Sequence, residues 1–245
     1  MAAARLGLAL LSVCIASTVA AADGFDPHTV DYIEDPYAPH VTNGTEARLG
    51  SMVGYYDGQR QNVLAVGAVA AVGHRFGRLT LEAELAALTL ESTTEADATI
   101  GNAERLGVVA RYDVIRLGPH WVGPNSLLAI YVEGGAARAW NHWYRPDAGD
   151  PSDLSADTTR VVPDDSARVE GIVGFGLMLD HRLQEPIAFP HRIGWFLGWR
   201  MAYAPHASEP AVECRGVSCS PAPAMPDDTY VDRSMLFQSS LSVTW

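Results

Sequence analysis

The stretch HRIGWFLGWRMAYAP, residues 191–205, puts Ile193, Trp195, Leu197, Trp199, Met201 and Tyr203 at odd positions and Gly194, Phe196, Gly198, Arg200 and Ala202 at even ones. Successive side chains of a β-strand point to opposite faces, whereas a helix places neighbours every third or fourth residue on one face. Strict alternation over this length therefore commits the segment to a strand with one large apolar face and one small or charged face. The pattern recurs. In ARVEGIVGFGLMLDH, Val169, Val173, Phe175, Leu177 and Leu179 oppose Arg168, Glu170, Gly174, Gly176 and Asp180. In RLGVVARYDV, Leu106, Val108, Ala110, Tyr112 and Val114 oppose Arg105, Gly107, Val109, Arg111 and Asp113. LTLEAELA sets Leu79, Leu81, Ala83 and Leu85 against Thr80, Glu82, Glu84 and Ala86, and SLLAIYVEGG sets Leu128, Ile130 and Val132 against Ala129, Tyr131 and Glu133. The last run loses phase near Gly134 and Gly135, where a bulge is expected. EARLGSMVGYY and VLAVGAVAAVGHR are weaker versions, richer in small residues.

With the C-terminal run RSMLFQSSLSVTW, the pattern predicts eight strands, at 46–57, 62–75, 79–90, 104–116, 126–141, 166–181, 192–204 and 230–245. Most are far longer than the about 5–6 residues usual in globular sheets. Long strands suit a tilted, closed barrel. The joins differ in kind. Those after even strands are short, around Phe76 and Gly77 and in LGPHWVGPN and RLQEPIAFPH. Those after odd strands include STTEADATIGNA, NHWYRPDAGDPSDLSADTTRVVPDD and HASEPAVECRGVSCSPAPAMPDDT, which are long and acidic.

Residues 1–21 read as a secretory signal: Arg5, an apolar run from Leu6 to Ile15, then small residues up to Ala22. The run is shorter than the ~18 residues a membrane anchor needs. Cys14 raises a lipoprotein signal as an alternative, but bulky Val13 precedes it. Residues 22–45, acidic and containing proline, form an expected periplasmic tail before the barrel domain at 46–245. The whole chain carries a formal charge of −12, and losing the signal removes Arg5 and no acid, so nucleic acid is excluded as a partner. Cys214 and Cys219 lie five apart, and an oxidising compartment makes a local disulfide the expected reading. A metal site is the alternative, disfavoured because no histidine stands at ligand spacing. No metal and no cofactor are expected.

An even strand number, alternating faces, and short turns at one end with long loops at the other define a transmembrane barrel, because lipid offers no hydrogen-bond partners and a spanning sheet must close. Trp140, Trp143, Trp195, Tyr203, Tyr55, Tyr56 and Trp245 fall near strand ends, where interfacial aromatics belong. A soluble eight-stranded barrel around a ligand is the competing architecture. Trp195, Trp199, Phe175, Tyr112 and many leucines would overfill its interior. The other face carries Arg48, Glu82, Glu84, Arg111, Asp113, Glu133, Arg168, Glu170 and Arg200, charges of both signs in mid-strand.

On these features the chain resembles the small eight-stranded outer-membrane proteins, the OmpA transmembrane domain and the OmpX and OmpW type. The resemblance implies an all-β, antiparallel up-and-down barrel in the bacterial outer membrane, monomeric, surrounded by lipid and lipopolysaccharide. Phe237, Leu241, Val243 and Trp245 in the closing LSVTW segment resemble the signal read by the barrel-assembly machinery. No peptidoglycan-binding domain is expected after the barrel.

Eight strands enclose a space that side chains can fill, so the inner charges are expected to form a salt-bridge network in place of a channel. Glu82 and Glu84 facing Arg111 and Arg105 are the expected pairs. The primary expectation is a structural or surface-interaction protein, with a narrow pore or small-ligand barrel as an alternative. An enzyme that modifies lipid A is the other: deacylases of this architecture use a His-x-Ser pair, and this chain has His206-Ala207-Ser208, where a histidine could activate serine. The residues after the serine do not follow that family. The aspartates Asp147, Asp150, Asp153, Asp157, Asp164 and Asp165 make the loops acidic; cation-bridged contact with lipopolysaccharide and a merely solvated surface are both open.

Overall fold

The computed structural model describes residues 44–57, 62–93, 98–117, 119–122, 125–144, 159–183, 192–205, 211–215, 218–222 and 231–245. Strands β1 (Gly44–Asp57), β2 (Asn62–Phe76), β3 (Leu79–Thr93) and β4 (Ala98–Leu117) are followed by a single helical turn α1 (Pro119–Val122). Then come β5 (Ser126–Trp143), β6 (Thr159–Pro163), β7 (Ser166–Arg182), β8 (Arg192–Pro205), β9 (Ala211–Arg215), β10 (Ser218–Pro221) and β11 (Val231–Thr244). Eight of these close into one antiparallel barrel in the order β1-β11-β8-β7-β5-β4-β3-β2. The closing pair joins Glu46 to Thr244 and Asp57 to Arg233, so the first and last strands leave no open edge.

Register partners followed once round, from Asn141 through Ala103, Leu88, Gly67, Met52, Gln238, Gly198 and Gly176, lead back to β5 at Tyr131, ten residues from the start. For eight strands this stagger gives a tilt of about 40° and a backbone cylinder of about 8 Å radius. At that tilt a 14-residue strand such as β1 rises about 35 Å, more than the about 25 Å of an outer-membrane apolar band.

Alternation sets which face is which. Trp199 is 46% exposed, Phe175 59% and Leu241 61%, while Glu82 is 2% exposed and Arg111 1%. The large apolar side chains point outward and the charges inward, the reverse of a water-soluble protein. The β2–β3 hairpin closes on Gly77 and Arg78, with Gly77 at φ 61°, a left-handed value that glycine adopts without penalty.

Four expectations change. β3 and β4 extend to Thr93 and from Ala98, so most of the acidic segment anticipated as a loop is strand that overruns the apolar band. The long joins after β5 and β8 contain a three-stranded sheet, β10-β9-β6, whose alternating runs are too short to stand out from the surrounding loop sequence. Pairing runs unbroken through Gly134 and Gly135; the bulge lies on β4 instead, where Val114 is skipped between Asp113 and Ile115. Finally, Tyr56 and Trp143 do not join an outer girdle. Tyr56 is buried, and Trp143 packs on the inner apolar cluster. Both share the inner phase of their strands, which outweighs their place at a strand end.

Candidate functional site

The site that fold and sequence define together is the barrel interior. It is layered along the axis. Near the short-turn end, Arg75 Nη2 lies 2.5 Å from Asp113 Oδ2 and Arg75 Nη1 3.5 Å from Asp180 Oδ2. Arg192 Nη1 is 2.9 Å from the same Asp180 oxygen, and Arg116 Nη2 2.8 Å from the same Asp113 oxygen. Arg75 and Arg116 also donate to the Gly77 carbonyl, tying the floor to the β2–β3 turn. Asp113 and Arg116, three apart, would face opposite ways in a regular strand. The extra residue at Val114 turns both inward.

Above the floor runs a continuous chain of ion pairs. Glu46 Oε1 accepts from Arg111 Nη2 at 2.9 Å, and Arg111 Nη1 is 3.0 Å from Glu82 Oε1. Glu82 Oε2 accepts from Arg48 Nη2 at 2.8 Å, which lies 3.1 Å from Glu84 Oε2. Glu84 bonds Arg200, whose Nε donates to Glu133 Oε1 at 2.7 Å. The chain crosses from β1 to β4, β3, β8 and β5, so it spans the lumen instead of following its wall. Aromatic faces support it: the Arg111 guanidinium sits 4.2 Å from the Phe196 ring centre and 5.5 Å from that of Tyr131. Tyr131 in turn lies over Gly176 and Gly198, where an added Cβ would meet its hydroxyl at 2.5 Å. Only glycine on β7 and β8 leaves room for that ring.

The next layer is apolar. Met52, Val69, Leu88 and Leu236 belong to one buried cluster, and Val109, Ala137, Ile172 and Ala202 to another. Toward the long-loop end, Arg105 Nη2 lies 3.0 Å from Glu170 Oε2 and Arg168 Nε 2.8 Å from Glu170 Oε1. Both guanidinium groups stand over Tyr56, at 5.1 and 5.6 Å from its ring centre.

All nine charges expected on the inner face lie there. Glu82 meets Arg111 as expected, but Arg105 reaches Glu170 on β7 instead of Glu84, which belongs to Arg48 and Arg200. Adjacent strands suggest nearest neighbours, whereas long arginine side chains reach across the narrow lumen. Glu46, Arg75, Arg116, Asp180 and Arg192 join the network without having been expected in it. Strand phase makes Asp180 and Arg192 legible, while Arg116 is hidden by the bulge. Leu236, an apolar residue in the inner phase of β11, is fully buried in the inner cluster.

Chemically, each carboxylate of the central chain is held by arginine, which leaves none placed as a general base against a nucleophile. Exposed polar pairs occur at the two ends, Ser126 Oγ with His181 Nδ1 at 3.0 Å and His142 Nδ1 with Asp165 Oδ2 at 3.2 Å. His206 and Ser208 lie outside the described residues, as do residues 1–43 and Asp147, Asp150, Asp153 and Asp157. Among the described residues no group of histidine, cysteine and acidic side chains could hold a metal, and no helix is long and apolar enough to cross a membrane. The backbone register makes Cys214 and Cys219 direct partners between β9 and β10.

A closed eight-stranded sheet with an apolar exterior and a charged interior belongs to the class of transmembrane β-barrels that bacterial outer membranes hold. Solved structures of similar outline include Neisserial surface protein A, with TM-score 0.48 and 11% identity over 82% of this chain and 97% of that one. A major outer membrane protein from Thermus thermophilus matches with TM-score 0.46 and 12% identity, over 82% and 99%. The outer membrane protein OprG from Pseudomonas aeruginosa matches with TM-score 0.41 and 10% identity, over 85% and 98%. Likeness of this degree carries no argument about residue roles. No protein-family model matches the chain, and no curated protein matches its sequence.

Proposed function

We propose that the protein is a monomeric outer-membrane barrel with a sealed lumen, acting as a structural and surface-interaction element that presents its long acidic joins to the outside. The observation that carries this reading is the cross-lumen chain from Glu46 to Glu133 lying beneath a buried apolar layer that includes Leu236 and Met52. Charges paired in this way favour a fixed plug over a water-filled path, since breaking any pair strands a partner in a low-dielectric interior. An apolar exterior on every barrel strand supports lipid and lipopolysaccharide as its surroundings. Phe237 and Leu241, exposed on the outer face of the strand that closes the barrel, fit recognition by the assembly machinery.

The register also supports the disulfide. It pairs Cys214 on β9 directly with Cys219 on β10, and directly opposed residues of an antiparallel ladder have Cα atoms about 4.5–5.5 Å apart, within the disulfide range. Reconstitution in planar bilayers tests the sealed lumen. The reading expects a quiet membrane; large, stable conductance steps from the purified protein would defeat it.

A further inference from the structure

The outward face of the barrel strands is apolar up to a boundary. Its described arginine and carboxylate side chains, Glu91, Glu104, Arg138 and Arg233, all stand toward the long-loop end. Arg138 is set into the apolar wall: its register partners on either side are Leu106 and Val169, 48% and 65% exposed. Strand β5 has 18 residues and rises about 45 Å at the barrel's tilt, some 20 Å more than an apolar band of about 25 Å. With that overrun shared between the two ends, the edge of the band falls about 10 Å below the end of the strand and Arg138 about 12 Å below it. A charge at that depth is costly unless it reaches the headgroup layer, which a long side chain does by extending along the wall. The Arg138 guanidinium lies 5.6 Å from the ring centre of Trp140, two residues nearer the loop end on the same face. Tryptophan rings belong at that interface. Among the described residues no ion pair holds Arg138, and Glu104, two positions along β4 from Leu106, does not close on it.

We infer that Arg138 and Trp140 form a docking point on the outside of the barrel for a phosphate of outer-leaflet lipopolysaccharide. The complementarity is one of charge and of depth. A guanidinium offers two phosphate oxygens a fork of parallel N–H bonds, and the Trp140 face steadies its plane. Long loops face outward in barrels of this class, which puts Arg138 in the leaflet whose lipid carries phosphate on sugar. Leu106 and Val169 beside it give the acyl chains of that lipid an apolar wall. The inference rests on the proposed setting of the barrel among lipopolysaccharide and narrows it to one point of contact. It does not depend on whether the lumen conducts.

The full chain, folded in detergent micelles with a chelator present, is titrated with bis-phosphorylated lipid A, and bound lipid is counted by native mass spectrometry. Arg138→Gln should weaken binding about five- to tenfold, and Arg138→Lys should recover part of the loss. Lipid A stripped of its phosphates should bind wild type and Arg138→Gln alike. Arg233→Gln removes an equally outward arginine from β11 and should leave the affinity within about twofold. Equal binding of bis-phosphorylated lipid A by wild type and Arg138→Gln would overturn the docking point. Equal losses in the two arginine variants would also overturn it, because they would mark diffuse charge attraction. Tighter binding of phosphatidylglycerol than of lipid A would overturn the assignment to lipopolysaccharide. Unboiled samples in SDS electrophoresis separate the two levels of the account. A folded barrel that binds equally with and without Arg138 fails the docking point alone, whereas a chain with no heat-dependent shift and no lipid adduct fails the outer-membrane setting itself.

Discussion

At the residue scale the account turns on which buried charges have partners. Arg111 holds both Glu46 and Glu82, and its ring contacts with Phe196 and Tyr131 leave it 1% exposed. Replacing it by methionine keeps the packing but strands Glu46 and leaves Glu82 to Arg48 alone, so Arg111→Met should lower stability by about 3–5 kcal/mol in urea unfolding from lipid vesicles. A loss under about 1 kcal/mol would mean that water reaches the carboxylates. Tyr131 supplies a second test. Gly198→Ala puts a Cβ where the Tyr131 hydroxyl lies, 2.5 Å away and the one short contact at that position, and should cost about 1–3 kcal/mol. In a Tyr131→Ala background the same substitution should cost much less, and a double-mutant cycle measures the difference.

Among elements, β11 shows how one strand serves two solvents. Leu241 faces outward at 61% exposure and Leu236 faces inward at 0%. Leu241→Arg should therefore destabilise the barrel in vesicles by about 2–4 kcal/mol if it sits near the bilayer centre. Leu236→Ala should cost about 2–5 kcal/mol because it opens a cavity in a packed layer. A neutral Leu236→Ala would point to a wet lumen. The strand pattern is legible in the sequence because alternation is a local property: every barrel strand, and the inner or outer assignment of Glu82, Arg111, Glu170 and Arg200, follows from position alone. What stays hidden depends on contacts between distant segments. Arg105 cannot be assigned to Glu170 without knowing which strands face each other across the lumen. Arg116 cannot be assigned inward without the bulge at Val114, and one skipped residue leaves no mark in composition. Tyr56 and Trp143 depart from the expected girdle because the phase of a strand, set by its pairing, overrides nearness to its end.

For the molecule as a whole, ten residues of stagger over eight strands set a cylinder narrow enough for side chains from opposite walls to meet. That geometry makes ion-pair layers and apolar layers alternate along one axis, with Tyr56, Tyr131 and Phe196 among them, and turns large apolar side chains such as Phe175, Trp199 and Leu241 to the exterior. The central claim is this inversion, and tryptophan fluorescence in vesicles containing bromine-labelled acyl chains reads it directly. Trp195 and Trp199 lie on the outer face, 44% and 46% exposed. Strong quenching that falls in the Trp195→Phe/Trp199→Phe variant is the predicted result. Emission indifferent to brominated lipid, with the protein remaining in the aqueous phase, would contradict the account.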